Sequence, residues 1–238
     1  MACQPEAVLA GPTLLLTVGI TPRYGEALQW AEQLHRQQRR KGKQVPYISH
    51  LISVSALVWE DGGSEDQAIA ALLHDAIEDA GQTQASIAAR FGELVAAIVQ
   101  DCTDTSPAAP AGKKEPWLLR KSRFIASLAG KPLSSLLVAA ADKAHNAGDM
   151  VLDAHRDPAM WGKFSAGLDG SAWYLLRMHQ ELKQRLPESR SVQRLGEAVR
   201  DILASNAYQE LVPHGNTATD WALSYPQRHG PAGDPPGC

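Results

Sequence analysis

Apolar residues recur at spacings of three and four along much of this 238-residue chain. The pattern is clearest in the segments 51–58, 68–73, 94–99 and 133–151, and it is typical of helices that bury one face. No stretch keeps the period-two alternation of a half-buried strand. With 44% hydrophobic and 21% charged residues, the chain can form a substantial core. The sequence therefore predicts an all-α protein with one globular domain.

The most informative polar residues are the adjacent His74 and Asp75, which lie in the apolar run 70–80. A neutral imidazole beside a carboxylate is a typical pair of metal ligands. His50 lies upstream and Asp142 downstream, both within or beside apolar stretches where an unpaired charge would be costly. These residues predict a four-ligand metal site. Its mixed imidazole and carboxylate donors suit Mn²⁺, Fe, Co or Zn²⁺ better than Ca²⁺, and we expect Mn²⁺ first and zinc second.

Several motifs surround these residues in a fixed order. They are 35–41 (HRQQRRK), 46–50 (PYISH), 70–79 (AALLHDAIED), Phe91-Gly92, Arg120-Lys121 and 141–146 (ADKAHN). Over residues 25 to 150 the chain resembles the HD-domain phosphohydrolases, and more closely the hydrolase domains of the RelA/SpoT alarmone enzymes and their stand-alone metazoan homologues. The resemblance implies a single HD-domain bundle of about eight to ten helices, a Mn²⁺ ion, and hydrolytic removal of the 3′-pyrophosphate from ppGpp or pppGpp.

Two further acidic residues, Glu78 and Asp79, follow His74 and Asp75 by four residues each. In a continuous helix this spacing puts them on the same face, one turn along. Carboxylates there can position or deprotonate an activated water. The resemblance implies that this pair separates alarmone hydrolysis from other HD phosphatase chemistry. The alternative is a solvated acidic helix end before Gly81.

Asn146 follows Asp142 by one helical turn, so the face that carries a ligand also carries an amide. By resemblance, Asn146 contacts the substrate or the catalytic site; the alternative is an ordinary polar surface residue. We interpret His145 as a supporting or structural residue. Beyond residue 155 the resemblance fades, and Trp173-Tyr174 is interpreted as core packing in preference to stacking on a purine.

Cations cluster just before the first proposed ligand, in a chain whose net charge is −3. Arg40 and Lys41 match the family pattern and are the expected phosphate contacts, one as a planar fork and the other as a point charge. Arg120 and Lys121 form a second small basic site, which either faces the nucleotide or is a charged helix start with snorkelling side chains. The basic stretch is short and has no interleaved aromatic residues, which argues against a nucleic-acid partner.

We divide the chain into an N-terminal extension (1–22), an HD-type hydrolase domain (23–205) and a Pro/Gly-rich tail (206–238) that we expect to be irregular. Segment 103–114 is interpreted as a linker in preference to a loop that gates the site. The apolar stretch 7–20 is broken by glycine and proline and holds no Lys or Arg, so neither a signal peptide nor a membrane span is expected. Three widely spaced cysteines predict no disulfide framework. We expect a cytoplasmic protein with no membrane partner, and leave homo-oligomer formation open.

Three function hypotheses follow. The first is a 3′-pyrophosphohydrolase that converts (p)ppGpp into GDP or GTP plus pyrophosphate, in a chain with no room for a synthetase domain. The second is an HD phosphohydrolase that acts on (p)ppApp or NADPH, because the motifs do not distinguish guanine from adenine. The third is a non-catalytic alarmone-binding protein. The intact ligand set and the intact Glu78-Asp79 pair argue against the third.

Overall fold

The computed structural model describes residues 19–104 and 115–230. These residues form thirteen α-helices, nine of them long, and no strand, which confirms the predicted all-α fold. The helices are α1 (Pro22–His35), α2 (Ile48–Glu60), α3 (Glu65–Leu73), α4 (Ala76–Ala80), α5 (Gln84–Phe91), α6 (Glu93–Cys102), α7 (Trp117–Ser127), α8 (Leu133–Arg156), α9 (Gly167–Arg185), α10 (Arg190–Ala204), α11 (Asn206–Gln209), α12 (Ala218–Leu223) and α13 (Tyr225–His229). Short 3₁₀ helices occupy Leu128–Gly130 and Pro158–Lys163.

Helix α8 is the longest helix and connects the two hydrophobic clusters of the core. It begins after Pro132 and ends at Arg156, two residues before Pro158. Proline has no N–H to donate, and it disfavours helical backbone at the residue before it. Leu136 packs in a cluster with α7, α9 and α10, whereas Val138 packs in a cluster with α1, α2, α3, α5 and α6. Both faces of the first half of α8 are buried. This packing fixes the position of Asp142, the buried carboxylate of α8, between the two clusters.

The N-terminal cluster packs α2 and α3 against each other and against α8. A capping box begins α3: the Ser64 hydroxyl accepts from the Gln67 N–H, and the Gln67 side chain accepts from the Ser64 N–H at 2.8 Å. Gly63 allows the tight connection, since a Cβ there would lie 2.6 Å from a Val58 methyl carbon. The turn between α2 and α3 therefore sets where the end of α3 meets α2.

The C-terminal cluster contains part of the segment that we expected to be irregular. That expectation is wrong for Asn206–Gln209, Ala218–Leu223 and Tyr225–His229, which form α11, α12 and α13. The Ser205 and Thr217 side chains cap two of these helices, and α13 has a proline in its first turn, where proline is tolerated. Tyr208 and Tyr225 are buried against α9 and α10. Composition indicated the turns but not these apolar contacts. The boundary between the hydrolase domain and the tail at residue 205 stays a prediction.

The expectations for the N-terminal extension and for segment 103–114 lie largely outside the described residues. The N-terminal extension has only residues 19–22 in the described part, and segment 103–114 only residues 103 and 104. Among the described helices, none combines the length and the hydropathy needed to cross a bilayer.

Candidate metal centre and substrate cleft

The four predicted metal ligands come from α2, from α8 and from the junction between α3 and α4. His50 lies in the first turn of α2, and Asp142 lies midway along α8. The predicted continuous helix around His74 and Asp75 is wrong: α3 ends just before this pair and α4 begins just after it, because Asp75 has φ −99° and ψ 2°, outside the helical range. The Asp79 N–H still donates to the Asp75 carbonyl at 2.9 Å, so the acidic pair lies one turn beyond.

His50, His74 and Asp142 form a buried group whose ligand atoms all lie within 4.8 Å of one another. Oδ1 of Asp142 is 3.3 Å from Nε2 of His50 and 3.6 Å from Nε2 of His74. Donor atoms bound to one ion at about 2.1 Å lie about 3 to 4 Å apart. Both Nε2 atoms are buried and face carboxylate oxygens without forming a well-aligned hydrogen bond, an arrangement that a bound cation would satisfy. These donors fit a divalent transition metal.

The protons of the two imidazoles are arranged differently. Nδ1 of His74 donates to the Ala71 carbonyl at 2.8 Å, which leaves the Nε2 lone pair for a metal. Burial lowers the pKa of His50 and keeps its ring neutral, as a ligand must be. Burial acts the same way on His74, but the charges of Asp75 and Asp142 outweigh it and raise its pKa well above the ordinary value. A metal ion and a proton therefore compete for Nε2 of His74.

Asp75 lies at the edge of this group. Its Oδ2 is 3.1 Å from Nε2 of His74 and accepts a hydrogen bond from the Tyr47 hydroxyl at 2.5 Å. Burial, with the charge of Asp75, raises the pKa of Tyr47, so the phenol stays a donor. The sequence interpretation missed Tyr47, although it lies three residues before His50 in the 46–50 motif. Its role is to fix the orientation of the Asp75 carboxylate.

Asn146 lies one turn after Asp142, as its spacing predicts, and links that ligand to Arg40. The amide of Asn146 donates to Oδ1 of Asp142 at 2.5 Å, and its carbonyl oxygen accepts from Arg40 at 2.8 Å. Arg40 also pairs with Asp149 at 3.0 Å. The guanidinium therefore orients the amide of Asn146 so that its NH₂ faces the metal ligand.

A cleft with two lobes opens beside the metal centre. The first lobe has a volume of about 350 Å³ and is lined by Glu78. The second lobe has a volume of about 270 Å³ and is lined by Asp79. Both lobes are lined by Lys41, Asn146, Met150 and Phe164. The adjacent acidic residues therefore face different lobes of one cleft, and Asn146 connects the cleft to the metal centre.

Four cations from three parts of the chain line the first lobe: Lys41, Arg120, Lys121 and Lys143. Arg120 and Lys121 both pair with the buried carboxylate of Asp104. Lys143 pairs with Asp142 and was not assigned from the sequence, although its place next to a ligand was a usable signal. The first lobe therefore suits a ligand with several negative charges.

The second lobe balances its cations with carboxylates. Lys43 pairs with Asp149 at 3.4 Å and Asp153 at 2.6 Å. The amide nitrogen of Gln38 donates to Oδ2 of Asp79 at 2.9 Å, and its amide oxygen accepts from Nδ1 of His35 at 2.6 Å. Asp79 is thus held by a side chain from the 35–41 motif, which the sequence interpretation did not assign.

The two aromatic residues at 173 and 174 have different environments. Trp173 stacks on Tyr225 with ring centroids 5.7 Å apart and contacts Trp117 at 5.8 Å, so it belongs to the C-terminal core. Tyr174 lines the first lobe, with Nζ of Lys121 4.9 Å from its ring centre. A larger cavity of about 470 Å³ between α7, α9 and α13 contains none of the metal-centre residues and is not the candidate substrate site.

A helical fold with a buried His, His and Asp group beside a polar cleft is the architecture of an HD-type site. The family model described as "HD domain" matches residues 27–159. The chain belongs to the HD-domain family, which confirms the predicted resemblance. The match includes all four proposed metal ligands, on α2, on α8 and at the junction between α3 and α4, and it ends before α9.

Several similar proteins are named for a pyrophosphohydrolase activity. A protein from Xenopus tropicalis named "Guanosine-3′,5′-bis(diphosphate) 3′-pyrophosphohydrolase MESH1" is 36% identical over 128 residues, which cover 52% of this chain and 68% of that protein. The human protein of the same name is 35% identical over the same shares. A solved structure titled "A metazoan ortholog of SpoT hydrolyzes ppGpp and plays a role in starvation responses" is 26% identical with a TM-score of 0.59, covering 76% of this chain and 96% of that one.

Proposed function

We propose that this protein is a metal-dependent hydrolase that removes the 3′-pyrophosphate from ppGpp or pppGpp. The observation that carries the proposal is the position of the buried His50, His74 and Asp142 group beside a lobe lined by Glu78 and four cations. The similar MESH1 proteins are named for this activity. A bis(diphosphate) nucleotide has the charge that such a lobe would bind.

His50, His74 and Asp142 would hold the ion, and Asp75, whose Oδ2 is 3.1 Å from Nε2 of His74, would be the fourth ligand. We assign Mn²⁺ as the ion, with zinc or another divalent transition metal as the alternative, because the donors are imidazole and carboxylate. A divalent ion bound here would supply Lewis acidity and make a water nucleophilic near neutral pH. The Tyr47 hydroxyl and the Asn146 amide would hold the two carboxylates in place.

Glu78 and Asp79 would act on the water and the sugar from two sides. Glu78 lines the first lobe with the cations, so we assign it to align the attacking water and accept its proton. Asp79 lines the second lobe and is held by Gln38 at 2.9 Å, so we assign it to orient the nucleophile or a ribose hydroxyl. Asn146, between the lobes, would contact the substrate at the scissile group.

Hydrolysis adds one water across the bond between the ribose 3′ oxygen and the neighbouring phosphorus. The water oxygen joins the phosphorus, a proton ends on the ribose oxygen, and the products are GDP or GTP and pyrophosphate. Lys41, Arg120, Lys121 and Lys143 would offset the charge on the pyrophosphate, and Arg40 would add a planar contact at the second lobe.

Product analysis tests this proposal. The purified protein is incubated with Mn²⁺ and ppGpp, pppGpp, ppApp or NADPH, and the products are separated by anion-exchange chromatography. Asp75→Ala and Asp142→Ala serve as blanks, since both remove carboxylates at the metal centre. We expect GDP from ppGpp and GTP from pppGpp, each with one equivalent of pyrophosphate, and no product from either blank.

Other outcomes assign a different function. ADP formation from ppApp alone, or NADH and phosphate from NADPH alone, would move the activity to an adenine nucleotide. If ppGpp binds tightly but is not hydrolysed with Mn²⁺, Zn²⁺, Co²⁺ and Fe²⁺ each tested in turn, the protein is an alarmone-binding protein. That result would overturn the hydrolase proposal.

A further inference from the structure

The imidazole of His145 lies against the imidazole of the proposed ligand His50. Nδ1 of His50 is 2.9 Å from Nδ1 of His145, and the ring centroids are 4.8 Å apart. The other nitrogen of His50, Nε2, faces Asp142 at 3.3 Å. His145 therefore contacts the ligand ring at the nitrogen that is directed away from the ion site.

A hydrogen bond between two Nδ1 atoms needs one donor and one acceptor. For His74 the corresponding partner is the Ala71 carbonyl, which can only accept, so its Nδ1 must carry the proton. For His50 the partner is an imidazole that can do either. If His145 donated its Nδ1 proton, His50 would have to carry its own proton on Nε2 and could not bind an ion through that atom.

We propose that His145 is a positioning residue: its Nδ1 accepts a hydrogen bond from the Nδ1–H of His50. The proton of His50 thereby stays on Nδ1, and the Nε2 lone pair of His50 remains available to the metal. The inference rests on the metal centre of the proposed function. Because Nδ1 of His145 faces His50, Nε2 of His145 carries its ring proton. His145 and Asp149, one turn further along α8, line a separate surface cavity of about 410 Å³ between α2, α8 and α10, which gives that second N–H room for water.

The assignment explains why this ring is on α8. His145, Asn146 and Asp149 lie three, four and seven residues after Asp142, so all four residues share one face of the helix. That face supplies a ligand, and two further residues of it support ligands: Asn146 holds Asp142, and His145 holds His50. One rigid helix thereby orients donors from two different elements.

Two near-isosteric variants test the inference. In His145→Asn the Oδ1 atom takes the place of Nδ1, and it can only accept. In His145→Leu a methyl group takes that place, and no acceptor remains. His155→Leu, at an exposed position in the last turn of α8, is the matched control for loss of a histidine. Metal-stripped protein is titrated with Mn²⁺ or Zn²⁺ by calorimetry, and the melting temperature of each apo variant is recorded to show that it folds.

We expect His145→Leu to weaken metal affinity about 10- to 100-fold, as loss of the partner of a metal-bound histidine typically does. His145→Asn should recover most of this loss, and His155→Leu should bind like the wild type. In the zinc-loaded wild type, long-range ¹H–¹⁵N NMR should show His50 protonated on Nδ1. Equal affinities for the wild type and a folded His145→Leu, or a proton on Nε2 of His50, would overturn the inference.

The same data separate this inference from the proposed function. A wild type that binds neither ion would overturn both the metal centre and the role of His145. A wild type that binds metal but does not hydrolyse ppGpp would overturn only the hydrolase proposal, and the affinities of the two His145 variants would still decide the inference.

Discussion

The carboxylate of Asp104 offers a sharp test of the proposed phosphate site, because it forms ion pairs with two of the four cations of the first lobe. It pairs with Arg120 and Lys121, and the three side chains are 4%, 10% and 18% exposed. Asp104→Asn keeps the shape of the side chain and removes its charge. The variant leaves two poorly solvated cations facing each other at the wall of the cleft.

The expected loss of stability is large. Removing one partner of a buried ion pair typically costs about 3–5 kcal/mol, and for a chain of this size each kcal/mol lowers Tm by about 2–4 °C. We therefore expect Asp104→Asn to melt about 6–20 °C below the wild type at neutral pH. Burial alone would raise the pKa of Asp104, but the charges of Lys121 and Arg120 outweigh it and hold the pKa below its ordinary value.

The sign of the pH dependence follows from that lowered pKa. The contribution of Asp104 to stability is fully present above its unfolded pKa of about 3.9 and is lost as the pH falls through the lower folded pKa. The difference in Tm between the two proteins should therefore be constant near neutral pH and shrink in the acid range. Scanning calorimetry at a series of pH values measures it.

Pyrophosphate should partly replace the missing carboxylate. In metal-free protein, we expect it to raise the Tm of Asp104→Asn more than that of the wild type and to bind the variant more tightly in calorimetric titrations. Glu115→Gln is the matched control. Glu115 pairs with Arg123, which lies on α7 like Arg120 and Lys121, and loss of this exposed pair should not affect Tm. An unchanged Tm in Asp104→Asn would refute the burial argument, and equal pyrophosphate effects in both proteins would refute the assignment of Arg120 and Lys121 to the phosphate site.

Three further predictions concern the catalytic pair, the first basic motif and the ion. Glu78→Gln should keep its Mn²⁺ affinity and lose about 10²- to 10⁴-fold in kcat, as loss of a general base does; turnover at the wild-type rate would remove Glu78 from that role. Arg40→Ala should raise KM for ppGpp and also weaken Mn²⁺ binding, because Asn146 loses its 2.8 Å contact; an unchanged KM in steady-state assays would take Arg40 out of the substrate site. Chelation should lower Tm by about 5–11 °C relative to protein at 100 times the Kd of the metal, since that concentration contributes about 2.7 kcal/mol; identical melting curves with and without chelator would argue against a folded-state metal site.

Helical periodicity predicted the fold class correctly because each long helix buries one face, and that requirement is written into local spacing. The same local logic failed at two places. His74 and Asp75 read as mid-helix residues but form the junction between α3 and α4, where the backbone of Asp75 leaves the helical range, a break that apolar spacing does not mark. The proline- and glycine-rich stretch after residue 206 read as irregular, but Tyr208 and Tyr225 bury their rings in the C-terminal cluster.

Which residue types can bind a metal and a phosphate follows from chemistry, so the sequence by itself determined the donors His50, His74 and Asp142 and the candidate cations. What surrounds each donor depends on residues that are distant in the chain and adjacent only after folding. Tyr47 on Asp75, Asn146 between Arg40 and Asp142, and the two lobes that separate Glu78 from Asp79 are contacts of that kind. These contacts join α8, the chain before α2 and the junction between α3 and α4. Only the tertiary structure decided them, because a side-chain hydrogen bond needs its partners within about 3 Å and no local spacing brings residues so distant in the chain that close.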